Sequence, residues 1–131
     1  MHKLIFSVAA LLCFLSTSAN SFTLKDVVDH CHAYAEANFE INNISREHLL
    51  KTGACLGYFG AFKEAGDINC LINMVEPDWE GAAFGFHENY AVEQLIQFTI
   101  NFAKKYPEKW DEKVSLIPNQ ILPDPKCEHH R

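Results

Sequence analysis

Cysteine is the residue type in this sequence with the widest choice of chemistry. Among its 131 residues the chain has five, Cys13, Cys31, Cys55, Cys70 and Cys127. A thiol can serve as a nucleophile, bind a metal ion or form a disulfide, and the redox conditions around the protein decide among these uses. A cysteine hydrolase needs a free thiol beside a histidine and an oriented third group, so bridging would remove the nucleophile.

Histidines stand beside two of these cysteines, in residues 30–32 (His-Cys-His) and 127–131 (Cys-Glu-His-His-Arg). Residues two apart on a helix point about 200° away from each other, so His30 and His32 cannot converge on one ion and are interpreted as surface histidines. The second group ends the chain, where residues are usually poorly ordered. Residues 57–60 lack the lysine of a phosphate loop. We therefore expect no metal site, no cofactor and no catalytic residue.

The first 19 residues have the order of a secretory signal peptide. Lys3 is followed by an apolar run over residues 4–15 and by small residues that end at Ala19, where we expect cleavage. The apolar run is too short to span a bilayer comfortably, and Cys13 lies within it and would be discarded. We expect residues 20–131 to form a single domain outside the cytosol, where four remaining cysteines are typical of two disulfides.

The apolar spacing of the mature chain predicts helices, and no strand pattern of any length is present. The predicted fold is all-α, a small four-helix bundle stapled by disulfides. A Thr23 cap with Asp26 as its capping-box partner begins the first helix, and a break at Asn42-Asn43 precedes the second. The predicted helices cover residues 24–39, 46–64 with closure at Gly66-Asp67, 89–106, and 108–117.

Four cysteines permit three pairings, and packing geometry selects one of them. Cys31 and Cys55 lie equally far before and after Asn43, so an antiparallel hairpin that turns there brings them level. A last helical segment antiparallel to the third helix would return the chain toward Cys70. We therefore predict the pairs Cys31 with Cys55 and Cys70 with Cys127.

Three glycines between these cysteines share one face of the predicted second helix. Gly53, Gly57 and Gly60 recur at spacings of four and three. Each costs roughly 1 kcal/mol against alanine inside a helix, so the pattern predicts a compensating close contact with another backbone in a buried central helix. The alternative is a flexible loop.

The charge balance restricts the classes of partner. The sequence has 11 basic and 17 acidic residues. Removal of Lys3 with the leader leaves ten basic residues, so the formal net charge of the mature chain is 10 − 17 = −7. Such a surface repels nucleic acid and anionic lipid and steers basic partners toward it. We expect no nucleic-acid binding and no membrane insertion after cleavage of the signal peptide.

Residues 78–90 combine aromatic and acidic side chains without a sustained period. Large rigid aromatic side chains bury much area at little entropic cost, which suits a recognition segment. The alternative is that Trp79, Phe84 and Phe86 cover the end of the core. The predicted partner-binding residues are Asp78, Trp79, Glu80, Phe84, Phe86 and Glu88.

These pieces together resemble the Rap/Tai family of type VI secretion immunity proteins. The resemblance rests on the leader and on a series of short motifs, and the chain has Ile72 and Lys126 where family members tend to have proline. The matching residues are Cys31, Cys55, Gly57, Tyr58, Gly60, Cys70-Leu71, Gln94, Tyr106-Pro107-Glu108 and Cys127.

The resemblance implies a small, helical, disulfide-bonded periplasmic protein that is not an enzyme. It would bind a peptidoglycan amidase effector delivered by the type VI system and occlude its active site, as family members do, often as homodimers. We keep two alternatives: a periplasmic chaperone-like or small-ligand binding module, and an enzyme of unknown type.

Overall fold

The computed structural model describes residues 22–76, 78 and 90–127, and within them the fold is all-α, as predicted. Four α-helices are present in this part of the chain, which has no β-strand. The elements in order are α1 (Leu24–Glu36), a 3₁₀ turn (Ile41–Asn43), α2 (Arg46–Val75), α3 (Val92–Lys105), two 3₁₀ turns (Pro107–Lys109 and Val114–Leu116) and α4 (Pro118–Ile121). The predicted signal peptide lies outside the described residues.

Helix α1 begins with the predicted capping box. Thr23 Oγ1 accepts a hydrogen bond from the Asp26 backbone N–H at 3.2 Å, and the Asp26 carboxylate accepts one from the Thr23 N–H at 2.9 Å. Two further first-turn donors are satisfied from outside the helix, since Leu24 N–H and Lys25 N–H donate to the carbonyls of Glu112 and Trp110.

Helix α1 ends at Glu36, three residues before the predicted end at residue 39, and its end is a Schellman motif. The Phe39 N–H donates to the Tyr34 carbonyl at 2.9 Å, and the Asn38 N–H donates to the Ala35 carbonyl at 3.1 Å. Asn38 has φ 52° and Phe39 has φ 62°, both left-handed. The aromatic rings of Phe39 and Tyr34 meet edge to face at 5.1 Å, the apolar contact that accompanies this motif.

Helix α2 is longer than its sequence pattern predicted. It passes through Gly66 and ends at Val75, so the predicted closure at Gly66-Asp67 is wrong. A glycine that ends a helix usually adopts positive φ, whereas none of the glycines in the described part of the chain does. Gly66 is instead buried within the helix.

The chain after α3 differs most from the prediction. Helix α3 ends before Pro107, as expected, with Tyr106 as its C-cap. The predicted fourth helix over residues 108–117 is wrong, because two 3₁₀ turns occupy that stretch and α4 begins at Pro118. The carbonyls of Trp110 and Glu112 accept hydrogen bonds from α1, so they do not serve a helix of their own.

Both predicted disulfides are confirmed. Cys31 pairs with Cys55, with Cα atoms 5.3 Å apart, and Cys70 pairs with Cys127, with Cα atoms 5.4 Å apart. These bridges indicate an oxidising environment outside the cytoplasm. Within the described helices, none is long and apolar enough to cross a membrane.

The core lies where α1, α2 and α3 meet and is closed by the turns that follow α3. Its buried members are Leu24, Val27, Cys31, Tyr34, Cys55, Phe59, Leu95, Ile96, Ile100, Ala103, Val114, Ile117, Ile121 and Leu122. The first disulfide lies within this cluster and ties α1 to α2. The second ties the C-terminal half of α2 to the chain end.

Candidate functional site

Of the six predicted partner-binding residues, the structure describes only Asp78, which is exposed. Trp79, Glu80, Phe84, Phe86 and Glu88 lie outside the described residues. Their assignment as contacts therefore stays a prediction. The structure does describe the chain on both sides of this segment, up to residue 76 and from residue 90 onward.

Both flanks of the predicted recognition segment are attached to the C-terminal tail. On one side, Cys70 is bridged to Cys127. On the other, the Tyr90 hydroxyl accepts a hydrogen bond from the Asp124 backbone N–H at 2.9 Å. The Tyr90 carbonyl also accepts one from Lys63 Nζ of α2 at 3.0 Å. Cys70, eight residues before this segment, and Tyr90, at its other end, therefore both contact the tail within residues 124–127.

The second candidate is the outer face of α2, which sequence reasoning missed. This face is turned away from α1 and α3 and has large apolar side chains open to solvent. Leu50 is 86% exposed, Leu71 60% and Val75 79%. Leu49, Ile68 and Met74 are also exposed. Monomeric proteins rarely leave a contiguous apolar surface uncovered, so such a surface is a candidate for binding.

Gly53, Gly57 and Gly60 of α2 belong to this outer face, and the predicted close packing against another backbone of the chain is wrong. Apart from its chain neighbours and the nearby backbone of its own helix, a methyl group built on Gly53, Gly57 or Gly60 would have no atom within 4 Å. Each glycine costs about 1 kcal/mol relative to alanine in a helix. No contact in the described part of the chain offsets that cost. The loop alternative is also excluded, because all three lie within the helix.

A groove of about 740 Å³ lies between α1 and the start of α2, with both apolar and polar residues in its lining. Its lining includes His30, His32, His48 and Lys51. The imidazole of His32 lies 3.1 Å from the Glu36 carboxylate. Lys51 Nζ donates to Asp29 Oδ1 at 2.7 Å across the groove, and this bond lowers the pKa of the Asp29 carboxyl.

The His-Cys-His segment does not form a metal site. Cys31 points into the core and is bridged, while His30 Nδ1 lies 2.8 Å from the Asp26 carbonyl oxygen and His32 is exposed. In the part of the chain that the structure describes, no three histidine, cysteine or carboxylate side chains are placed to hold a metal ion. Cys31, Cys55, Cys70 and Cys127 are all bridged, so none of the four is a nucleophile.

An aromatic stack connects α2 to the start of α1. The rings of Phe22 and Tyr58 are stacked at 4.4 Å, and Tyr58 is stacked on Phe62 at 6.0 Å. The Tyr58 hydroxyl is buried and has no hydrogen-bond partner among the described residues. Burial raises the pKa of Tyr58 to about 12.

No protein-family model, no curated protein and no solved structure matches this chain.

The outer face of α2 had a signal in the sequence. Apolar and small residues recur around the whole circumference of this helix, whereas α1 and α3 confine theirs to one side. A helix that is apolar all round needs cover on every side. A helix that is predicted to end near Gly66 does not include Ile68, Leu71 and Val75, so the apolar character of its whole circumference is not apparent from the sequence.

Proposed function

We propose that this chain is a periplasmic immunity protein that binds a type VI secreted peptidoglycan amidase and occludes its active site. The resemblance of the cysteine, glycine and Tyr-Pro-Glu motifs to the Rap/Tai family supports the proposal. It is also supported by the two disulfides, which suit a protein exposed to the oxidising periplasm.

The observation that carries the proposal is the double attachment of the recognition segment's flanks. The Cys70–Cys127 bridge and the hydrogen bond between Asp124 and Tyr90 hold these flanks on one short stretch of the tail. A segment held at both ends loses less conformational entropy on binding than a free one, which favours tight association.

Occlusion needs shape and charge complementarity and no catalytic group from this chain. In the proposal, Trp79 and Phe86 enter the substrate cleft of the amidase, and acidic side chains of the same segment lie beside basic groups at its rim. Buried aromatic anchors supply most of the binding energy in such interfaces, whereas rim charges chiefly raise the association rate.

The direct test is a pull-down of the mature protein against the product of the neighbouring reading frame, followed by an amidase assay of that product on peptidoglycan. The mature parent protein is expected to abolish hydrolysis at stoichiometric concentration. The double variant Trp79→Ala with Phe86→Ala is expected to need at least 100-fold more protein, because two anchors are lost. The matched control removes two exposed apolar side chains elsewhere, Ile41→Ala with Leu116→Ala, and is expected to inhibit like the parent. Equal inhibition by both double variants, each folded, would overturn the placement of the contact segment.

The acidic surface adds a second test of the same proposal. Association with a basic amidase is expected to slow by roughly tenfold or more between low salt and about 0.5 M salt, because screening shortens the reach of the charges. An association rate that does not change with salt would argue against electrostatic steering.

One observation favours the small-ligand alternative, namely the groove between α1 and α2. Its imidazole, ammonium and carboxylate groups suit a small zwitterion. The probe is a neutral dipeptide such as alanyl-alanine, titrated while the histidine ring signals are followed by NMR. Saturable shifts of His32 and His48 at millimolar dipeptide or below would support this alternative, and unchanged signals would reject it.

A further inference from the structure

The groove between α1 and α2 brings together charged and titratable side chains from three helices. Two ammonium groups and two carboxylates are among them, so the fixed charges of the lining balance at neutral pH. Three imidazoles share the same space. The groups are Asp29, His30, His32 and Glu36 of α1, His48 and Lys51 of α2, and Lys104 of α3. The Glu47 carboxylate, 3.4 Å from the His48 imidazole, adds one further negative charge beside the lining.

Lys104 provides the ammonium group that the fold leaves open to a ligand. The other ammonium group, on Lys51, donates to Asp29 at 2.7 Å and is therefore already paired. Lys104 is exposed, and within residues 22–76, 78 and 90–127 it makes no ion pair and no hydrogen bond. A negatively charged group in the groove would pair with it without breaking a contact of the fold.

The first turn of α2 adds hydrogen-bond donors at the same place. Ser45 is the N-cap of this 30-residue helix and lines the groove, yet its side chain makes no capping hydrogen bond. The N–H groups that open a helix have no partner within it, and they suit an oxygen anion. Helix α1 differs, because the Thr23 capping box and the carbonyls of Trp110 and Glu112 satisfy its first donors.

The three histidines make the charge of the groove depend on pH. Imidazoles in general take up a proton between about pH 8 and pH 5. Each proton gained by His30, His32 or His48 adds a positive charge to a lining whose other charges balance. The chain as a whole has a net charge of −6, which opposes anions, but charges beyond about 10 Å are largely screened at physiological salt. The local groups therefore decide which ligand enters.

We infer that the groove between α1 and α2 is a binding site for a small oxygen anion with two negative charges, and that it binds this anion more tightly in mild acid. Phosphate and sulfate esters and dicarboxylates have this chemistry in common. A neutral dipeptide has an ammonium group that protonated imidazoles repel, so it is expected to bind less tightly than the anion below about pH 6. The inference goes beyond the proposed function and does not depend on it.

The first test titrates the mature protein with sulfate and, separately, with oxalate, while the histidine ring signals are followed by NMR. Both probes keep two negative charges throughout, so any dependence of affinity on pH comes from the protein. Saturable binding is expected at millimolar concentration or below near pH 5.5, and at least tenfold weaker binding near pH 7.5. Tighter binding of sulfate would support a phosphate or sulfate ester as the ligand, and tighter binding of oxalate a dicarboxylate.

Proton uptake gives an independent readout of the same coupling. If protonated imidazoles favour the anion, the anion must favour protonation of the imidazoles to the same extent. Calorimetric titration with sulfate near pH 6.5, in two buffers with different heats of ionisation, is expected to show protons taken up on binding. Binding without proton uptake would overturn the role of the histidines.

Two substitutions separate the pH-dependent part of the affinity from the constant part. His48→Gln is expected to reduce sulfate affinity several-fold near pH 5.5 and to leave it unchanged near pH 7.5. Lys104→Gln is expected to reduce it several-fold at both pH values. Lys105→Gln is the matched control, since Lys105 is exposed in the same turn of α3 but does not line the groove, and its sulfate affinity is expected to equal that of the parent.

Ser45→Asp tests the donors at the start of α2. The new carboxylate is expected to cap the helix and to take the place of the ligand, so sulfate binding is lost while the melting temperature does not fall. Full sulfate affinity in a folded Ser45→Asp protein would exclude these donors from the site. The inference as a whole is overturned if neither anion binds near pH 5.5, or if alanyl-alanine binds as tightly there as sulfate and oxalate do.

Discussion

The two faces of α2 differ in what covers them, although both are apolar. The inner face has Cys55, Phe59 and Cys70, each fully or almost fully buried. The outer face has Leu50, Leu71 and the three glycines, and it packs against nothing in the described chain. Apolar composition alone does not say whether a helix face serves the fold or a partner, and the tertiary structure supplies that distinction.

This comparison predicts that changes on the inner face reduce folding stability and that changes on the outer face alter it much less. The disulfides are the strongest case, since both engage the inner face of α2. Replacing Cys31 and Cys55 by alanine is expected to cost about 3 kcal/mol, and replacing Cys70 and Cys127 about 4 kcal/mol, because the second pair closes the longer loop. Urea denaturation of the two double variants measures both losses. A cost below 1 kcal/mol for either pair would contradict this assignment.

Phe59 gives the next largest expected effect, and Leu50 is its outer-face counterpart. Phe59→Ala is expected to lower the free energy of unfolding by about 3–5 kcal/mol, because it leaves a cavity in the core. Leu50→Ala, measured at a concentration where the protein is monomeric, is expected to change it by less than about 0.5 kcal/mol. Similar losses in the two variants would mean that the outer face is covered within the monomer.

Gly57→Ala is expected to raise the free energy of unfolding, whereas Phe59→Ala lowers it. The added methyl group meets no atom in the monomer, and alanine is the better helix former, so stability is expected to rise by up to about 1 kcal/mol. Thermal unfolding of the dilute protein measures the gain. Destabilisation by Gly57→Ala would show that this position is in contact with another part of the chain.

Tyr58 is expected to affect stability only in alkaline solution, and not at neutral pH. Burial raises its pKa to about 12 from an ordinary value near 10. Between these values the unfolded chain loses the phenol proton before the folded one does, so folding stability falls as the pH rises from about 10 to 12. The loss is expected to be smaller than the roughly 2.7 kcal/mol that two pKa units represent, because the Tyr58 side chain is only partly buried.

Tyr58→Phe removes this titration and is expected to flatten that part of the stability profile. It also removes a buried hydroxyl with no partner in the described structure, so the variant is expected to be at least as stable as the parent at pH 7. Tyr106→Phe is the control, and an unchanged slope in Tyr58→Phe would assign the alkaline effect to another group.

Sequence patterns predicted the parts of the fold that depend on local chemistry. The Thr23 and Asp26 capping box and the stop before Pro107 follow from side-chain types at fixed spacing. The two disulfide pairs follow from the predicted directions in which the chain turns, and the second pair was predicted correctly although the helix on which that argument relied is absent. The helix predicted over residues 108–117 failed because tertiary hydrogen bonds to α1 use the carbonyls of Trp110 and Glu112.

The candidate site was less accessible to sequence reasoning. A glycine stripe indicates close approach of another backbone, but not whether that backbone belongs to the same chain. The spacing of Gly53, Gly57 and Gly60 predicts a buried helix face, and only the three-dimensional packing shows that these glycines face outward.

The most direct test of the difference between the two faces of α2 is the melting temperature of two lysine variants, one on each face. Leu71→Lys places its ammonium group in solvent, so its melting temperature is expected to stay within about 4 °C of the parent value. Phe59→Lys buries an unpaired charge in the core, so no cooperative unfolding transition is expected. A Phe59→Lys protein that melts like the parent, or a Leu71→Lys protein that does not fold, would contradict the account.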